Sequence, residues 1–392
     1  MGPIMDLRIA FELGVLILLA SMLSRELGVS IAIIEIVLGV VGGNVLDMEP
    51  SAWLTFLAAF GSVVLTFLAG VEVDPEVLRS KFKESLLIGG ASFALPFLAA
   101  WGFAYWALGW DGDAAQIGGV ALSTTSLAVV YAVLVETGLT NTSTGKVIMA
   151  ATFVTDFGTA AALSILFIQP TVWLIPFIAA SALLIVIMPR LQPWFFGRYG
   201  NRVTEPEIKW VFAALFLLMF LGEKAESHAV LPAFLLGLVM ADAFTRHRTE
   251  QQRFRVVAFS LLTPFFFIKA GMNIGLSAVA TNFGLIGLLF AVKVGAKIAG
   301  VYPFARRYLA DDSWYTTLLM STGLTFGTIS ATFGLNAGII TKDQFSVLLT
   351  TVILTAVLPT LVAQRFFEPV PPDMAVATGL TPAVQLGGGG EE

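Results

Sequence analysis

The chain has 392 residues, 57% of them hydrophobic and 12% charged, with a formal net charge of −5. A soluble domain carries roughly 25% charged residues, so this composition excludes a water-soluble globule and points to an all-α polytopic membrane protein immersed in lipid bilayer. No cysteine occurs, which excludes disulfides, thiolate metal centres and cysteine nucleophiles. His228 and His247 read as solvated loop residues and are too few for a His-rich metal site. No cofactor and no nucleic acid is expected as a partner.

The N-terminus lacks a basic region followed by a small-residue cleavage site, so it reads as a retained first span. "MGPIMD" is not a myristoylation site, because position 6 is Asp. Windows of about 20 apolar residues predict thirteen spans, at 7–24, 29–46, 52–70, 85–108, 115–137, 144–168, 171–189, 207–224, 228–245, 255–272, 281–304, 314–335 and 344–366. After residue 368 the chain turns Pro-rich and then Gly-rich, which predicts a disordered cytoplasmic tail over 369–392 behind one transmembrane domain over 1–368. No soluble nucleotide-binding module is expected.

Basic residues collect in short cytoplasmic loops, and they test this map. Alternate loops, starting after span 1, hold Arg25; Arg79, Lys81 and Lys83; Lys146; Arg190, Arg198, Arg202 and Lys209; Arg246, Arg248, Arg253 and Arg255; Arg306 and Arg307; and Arg365. The other side holds Arg8, Lys224 and Lys342, and Lys269, Lys293 and Lys297 fall inside spans. The N-terminus is therefore expected outside and the C-terminus inside.

Spans 5 and 12 break helical regularity. Span 5 contains "GGVALSTTSLAVVY", with hydroxyls from Ser123 to Ser126, and span 12 contains "MSTGLTFGTISATFG", with Gly323 and Gly327 among Ser and Thr. Discontinuous helices are tolerated at membrane depth only where freed backbone groups face protein or a water-filled cavity. Paired broken helices in two halves of a transporter mark a substrate site near the midplane. The plainer alternative is that these hydroxyls bond carbonyls of their own helices.

Span 6 carries Asp156 near mid-depth, where a carboxylate costs a few kcal/mol and marks function by default. A partly hydrated carboxylate there can hold a proton or, at higher pH, a desolvated cation, which is the minimal machinery for exchange. Thr155, Thr125 and Ser126 complete the candidate ion- and proton-binding set. Lys293 and Lys297 share one face of span 11, one turn apart, and read as core support. Glu35 in span 2 and Glu72 at the inner end of span 3 are further acidic candidates, each with a scaffold reading beside the functional one. Lys269, near the outer end of span 10, reads as a snorkelling side chain.

"IIEIVLGVVGGNVL", "VLTFLAGVEVDPEVLRSKFKES", the hydroxyl run before "VLVETGLTNTSTGK", Asp156, "TPFFFIKAGM" and "GAKIAGVYPFARR" together resemble the monovalent cation:proton antiporters, in the NapA-like and Kef-type branch. The resemblance runs in order from about residue 10 to residue 366. It implies inverted repeats, two broken helices that cross, a mobile core against a dimerisation scaffold, and elevator-type alternating access in a homodimer of the cytoplasmic membrane. It also implies Asp156 as the carboxylate that binds Na+ (or K+ or Li+) and H+, Thr125 and Ser126 at the crossover, and Lys297 as the core lysine. Thr155 departs from relatives with two adjacent acids, and "TGLTFGT" departs from relatives with Arg and Glu in span 12.

Cation:proton exchange, electroneutral because Thr155 removes the second acid, is the leading reading. A Na+-coupled organic anion symporter is the alternative, supported by the basic pair in span 11. An intramembrane aspartyl protease would need a second facing aspartate, and Asp242 is its one candidate.

Overall fold

A computed structural model describes residues 7–369, apart from 29, 141, 169, 201, 203 and 228. His228 and the tail over 370–392 thus lie outside the described residues. In chain order the helices are α1 (Leu7–Leu27), α2 (Ile31–Asn44), α3 (Ala52–Val71), α4 (Pro75–Ser80), α5 (Phe82–Gly102), α6 (Gly112–Ser123), α7 (Leu127–Glu136), α8 (Ser143–Leu166) and α9 (Leu174–Tyr199). The second half holds α10 (Pro206–Lys224), α11 (Val230–Arg246), α12 (Arg248–Val257), α13 (Thr263–Met272), α14 (Leu276–Thr281), α15 (Phe283–Tyr308), α16 (Ser313–Met320), α17 (Thr325–Asn336) and α18 (Lys342–Phe366).

Among the described residues, ten helical segments are long and apolar enough to cross a membrane, while α2 is apolar but only 14 residues long. One of the ten joins α12 to α13 through a π turn at Ala258–Leu262 and so starts at Arg248, seven residues before the predicted span 10. Arg253 and Arg255 ride on its first turns because Glu205 and Glu72 balance them, at 2.9 and 3.5 Å.

The helices form two groups. In one, α3 packs on α11 and α13, and α13 on α2, with α9 and α10 alongside. Backbones touch there: a Cβ on Gly70 would lie 2.1 Å from the Phe234 carbonyl oxygen, and one on Gly237 2.0 Å from that of Phe67. Small residues allow such approach where helices gain nothing from apolar burial against lipid. In the other group α5 packs against α6, α8 and α15, while α16, α17 and α18 close the remaining sides. The groups meet mainly where α8 packs on α11.

Both irregular segments are interrupted. The first breaks over 124–126, where Thr124 is extended (φ −66°, ψ 154°) and Ser126 becomes the N-cap of α7. The second breaks over 321–324, ending in Leu324 at φ −149°, ψ −72°. The interruptions are in contact: Thr125 Oγ1 donates to the Met320 carbonyl at 2.9 Å, and the Ser126 N–H donates to Thr322 Oγ1 at 3.3 Å.

Candidate functional site

Asp156 lies on α8 beside the paired interruptions, only 2% exposed, and its Oδ1 has no hydrogen-bond partner among the described residues. A buried polar atom without a partner is expensive and calls for an explanation.

Lys297, fully buried on α15, does not form an ion pair with Asp156. Its Nζ donates instead to Ser92 Oγ at 2.7 Å and to Thr125 Oγ1 at 3.0 Å. Thr125 in turn donates to Met320 O, so one chain of bonds ties α15, α5 and both interruptions together. Lys293, one turn earlier and equally buried, has no hydrogen-bond partner among the described residues, and its Nζ lies against Gly323 in the second interruption.

The predicted residues separate at this point. Thr125, Lys297 and Lys293 converge on the interruptions, and Asp156 sits on α8, which packs against α6, α7, α16 and α17 around them. The hydroxyl of Thr155 points away, donating to the carbonyls of Ala151 at 3.1 Å and Gly89 at 3.3 Å. Ser126 contributes its N–H to Thr322, and its Oγ accepts a long 3.5 Å bond from Val129 N. The plainer alternative holds for much of the run: Ser123 and Thr124 bond carbonyls of α6. Glu35 is buried on α2, against α13 in the other group. Glu72 caps the end of α3 and pairs with Arg255. Asp242 pairs with Arg246 at 2.6 Å on an exposed helix end, which removes the partner an aspartyl protease needs.

Sequence reasoning missed Ser92 and Thr322. The signal for Ser92 was its neighbourhood, "GGAS" at 89–92, since small residues mark close helix approach. A Cβ on Gly89 would meet the Ala151 carbonyl oxygen of α8 at 2.4 Å, and Ala91 O faces Gly300 of α15.

Chemically, the site offers a lone carboxylate, carbonyls and hydroxyls freed by two broken helices, and a lysine fixed nearby. No group of three or more His, Asp or Glu placed to hold a metal occurs among the described residues. Such a set suits a weakly held, exchangeable cation better than a multi-carboxylate site of the kind calcium uses.

The profile of the family described as "Sodium/hydrogen exchanger, transmembrane" matches residues 14–368. The chain is 26% identical over 352 residues to "Probable Na(+)/H(+) antiporter 3" of Methanocaldococcus jannaschii, covering 86% of this chain and 89% of that protein. It is 25% identical over 373 residues to "Na(+)/H(+)-K(+) antiporter GerN" of Bacillus cereus, covering 90% and 95%. The solved structure of the sodium proton antiporter MjNhaP1 from M. jannaschii at pH 8 has a similar fold, with a TM-score of 0.71 at 15% identity over 93% of this chain and 99% of that one.

Proposed function

Because the chain belongs to the transmembrane sodium/hydrogen exchanger family, we propose that this multi-pass membrane protein exchanges a monovalent cation for protons, with Asp156 carrying both in turn. The observation that supports this reading most directly is a carboxylate buried beside two interrupted helices with Oδ1 unpartnered. Protonated, Asp156 is neutral and tolerates burial. Ionised, it requires a cation, because an isolated buried charge is prohibitively costly. Each ligand therefore excludes the other, and the site crosses the membrane loaded with one of them.

Na+ is the cation in this proposal, with K+ and Li+ as competitors, held by Asp156 and by hydroxyl or carbonyl oxygens around Thr125 and the breaks. Exchange is electroneutral. The Thr155 hydroxyl is committed to two carbonyls, and Lys297 is held by Ser92 and Thr125. Asp156 is the group assigned to change its proton in this reading. The organic-anion alternative rests on the basic pair of α15; Lys297 is engaged there by hydroxyls inside the protein, which leaves Lys293 as its remaining support.

The topology proposed is thirteen crossings over residues 1–368 as inverted repeats, with the N-terminus outside and the C-terminus of the cytoplasmic membrane protein inside, in keeping with the basic-residue asymmetry. The group holding α5–α8 and α15–α18 is the moving unit of an elevator. The group around α3, α11 and α13 is the scaffold of a homodimer, with Glu35 and Glu72 as scaffold residues.

The test is pH-gradient dissipation in proteoliposomes on addition of Na+, K+, Li+ or choline in turn. Dissipation by one or more of the three metal cations but not by choline is expected. A wild-type protein silent to all three would overturn the proposal.

A further inference from the structure

A cavity of about 470 Å³ lies between α3, α10, α13 and the start of α11 on one side and α17 on the other. It thus separates the two helix groups near the α10–α11 and α17–α18 connections. Its lining is mostly apolar and includes two charged residues, Glu223 and Lys269. The sequence places Lys269 where a lysine would snorkel to the interface. In the fold it is only 6% exposed and faces this cavity, and no carboxylate lies within ion-pair distance among the described residues.

The cavity stops short of Asp156. Val230 and Ile329 line it, and one turn deeper on the same helices Phe234 and Phe326 meet with ring centroids 6.2 Å apart. Phe234 also reaches Phe157, the neighbour of Asp156, at 6.3 Å. A cation coming from the cavity would therefore pass Glu223 and Lys269 first, then an aromatic barrier, then the carboxylate.

We propose that this cavity is the outer approach to Asp156 and that Lys269 and Glu223 are opposed charges setting cation affinity from that face. The inference rests on the exchange reading and its orientation. A fixed negative charge in a low-dielectric cleft raises local cation concentration, and a fixed positive charge lowers it. Lys269 thus weakens rebinding of a cation already released outside, while Glu223 tempers that effect. Neither charge alters the end point of exchange, which stoichiometry alone sets.

The experiment compares right-side-out with everted membrane vesicles, measuring the half-saturating Na+ concentration for initial proton movement at each face. Lys269→Gln should lower the outer-face value about two- to fivefold, the scale of a single charge acting over several residues. Glu223→Gln should raise it by a similar factor, and Lys269→Arg should match wild type. The Glu223 shift should shrink in concentrated choline chloride, which screens exposed charge, while the shift from the buried Lys269 should largely persist. Shifts of the same sign in the two neutralised variants, equal shifts at both faces, or no shift would overturn the inference. A purely structural role would not produce opposite signs. Wild-type vesicles without Na+-driven proton movement would overturn the exchange reading and this inference with it.

Discussion

A Cβ placed on Gly323 would lie 2.1 Å from Lys293 Nζ and 2.8 Å from Thr124 Oγ1, so the glycine in the second interruption and the lysine on α15 are a matched pair. Gly323→Ala should lower the exchange rate severalfold, because the added Cβ must displace the ends of two buried side chains or the break itself. Adding Lys293→Ala removes the obstructing amino group and should recover part of that loss. Initial rates in proteoliposomes for both single variants and the double variant check the coupling. A fully active Gly323→Ala protein would dissolve the pairing.

Asp156→Asn should abolish cation-driven proton movement while leaving the protein folded. The amide keeps the size of the side chain but can neither release a proton nor balance a cation. Thermal unfolding in detergent should stay level or rise, because removing an ionisable group buried with an unpartnered oxygen removes a cost of folding. Retained Na+-driven flux in this variant would remove Asp156 from the centre of the mechanism.

Thr125→Val and Ser92→Ala each take one hydroxyl from Lys297, and Thr125→Val also frees the Met320 carbonyl. Leaving a buried polar donor short of a partner costs about 1–3 kcal/mol. Thr125→Val should therefore raise the cation KM more than it lowers the maximal rate, and Ser92→Ala should lower thermal stability. Ser126→Ala should do less than either, since its hydroxyl accepts only a 3.5 Å bond. An effect of Ser126→Ala exceeding that of Thr125→Val, read from KM and unfolding temperature, would reverse this order.

Imposing a K+/valinomycin potential during Na+-driven proton movement tests electroneutrality. With Lys297 bonded to hydroxyls and Thr155 to carbonyls, one proton per cation is expected, and the rate and end point should be insensitive to voltage. A clear voltage dependence would mean that Lys297 or another group releases a second proton.

Composition and local pattern alone determined that the chain lives in a membrane, that its segments are helical, and that two of them would break near the middle. Hydroxyls and glycines weaken helices locally, so the interruptions at 124–126 and 321–324 were legible without any neighbour. Asp156 was legible for a similar reason, since a charge inside an apolar span announces itself. Only the tertiary structure decided which groups these residues meet. Lys297 finds Ser92, 205 positions away, and Thr125 rather than an ion pair with Asp156. Thr155 turns to Gly89, Glu72 to Arg255, and Lys269 into a cavity rather than to the interface. Periodicity fixes the depth and face of a side chain on its own helix. The partner it touches depends on how helices far apart in the chain pack, through small-residue contacts such as Gly89 against Ala151 and Gly70 against Phe234.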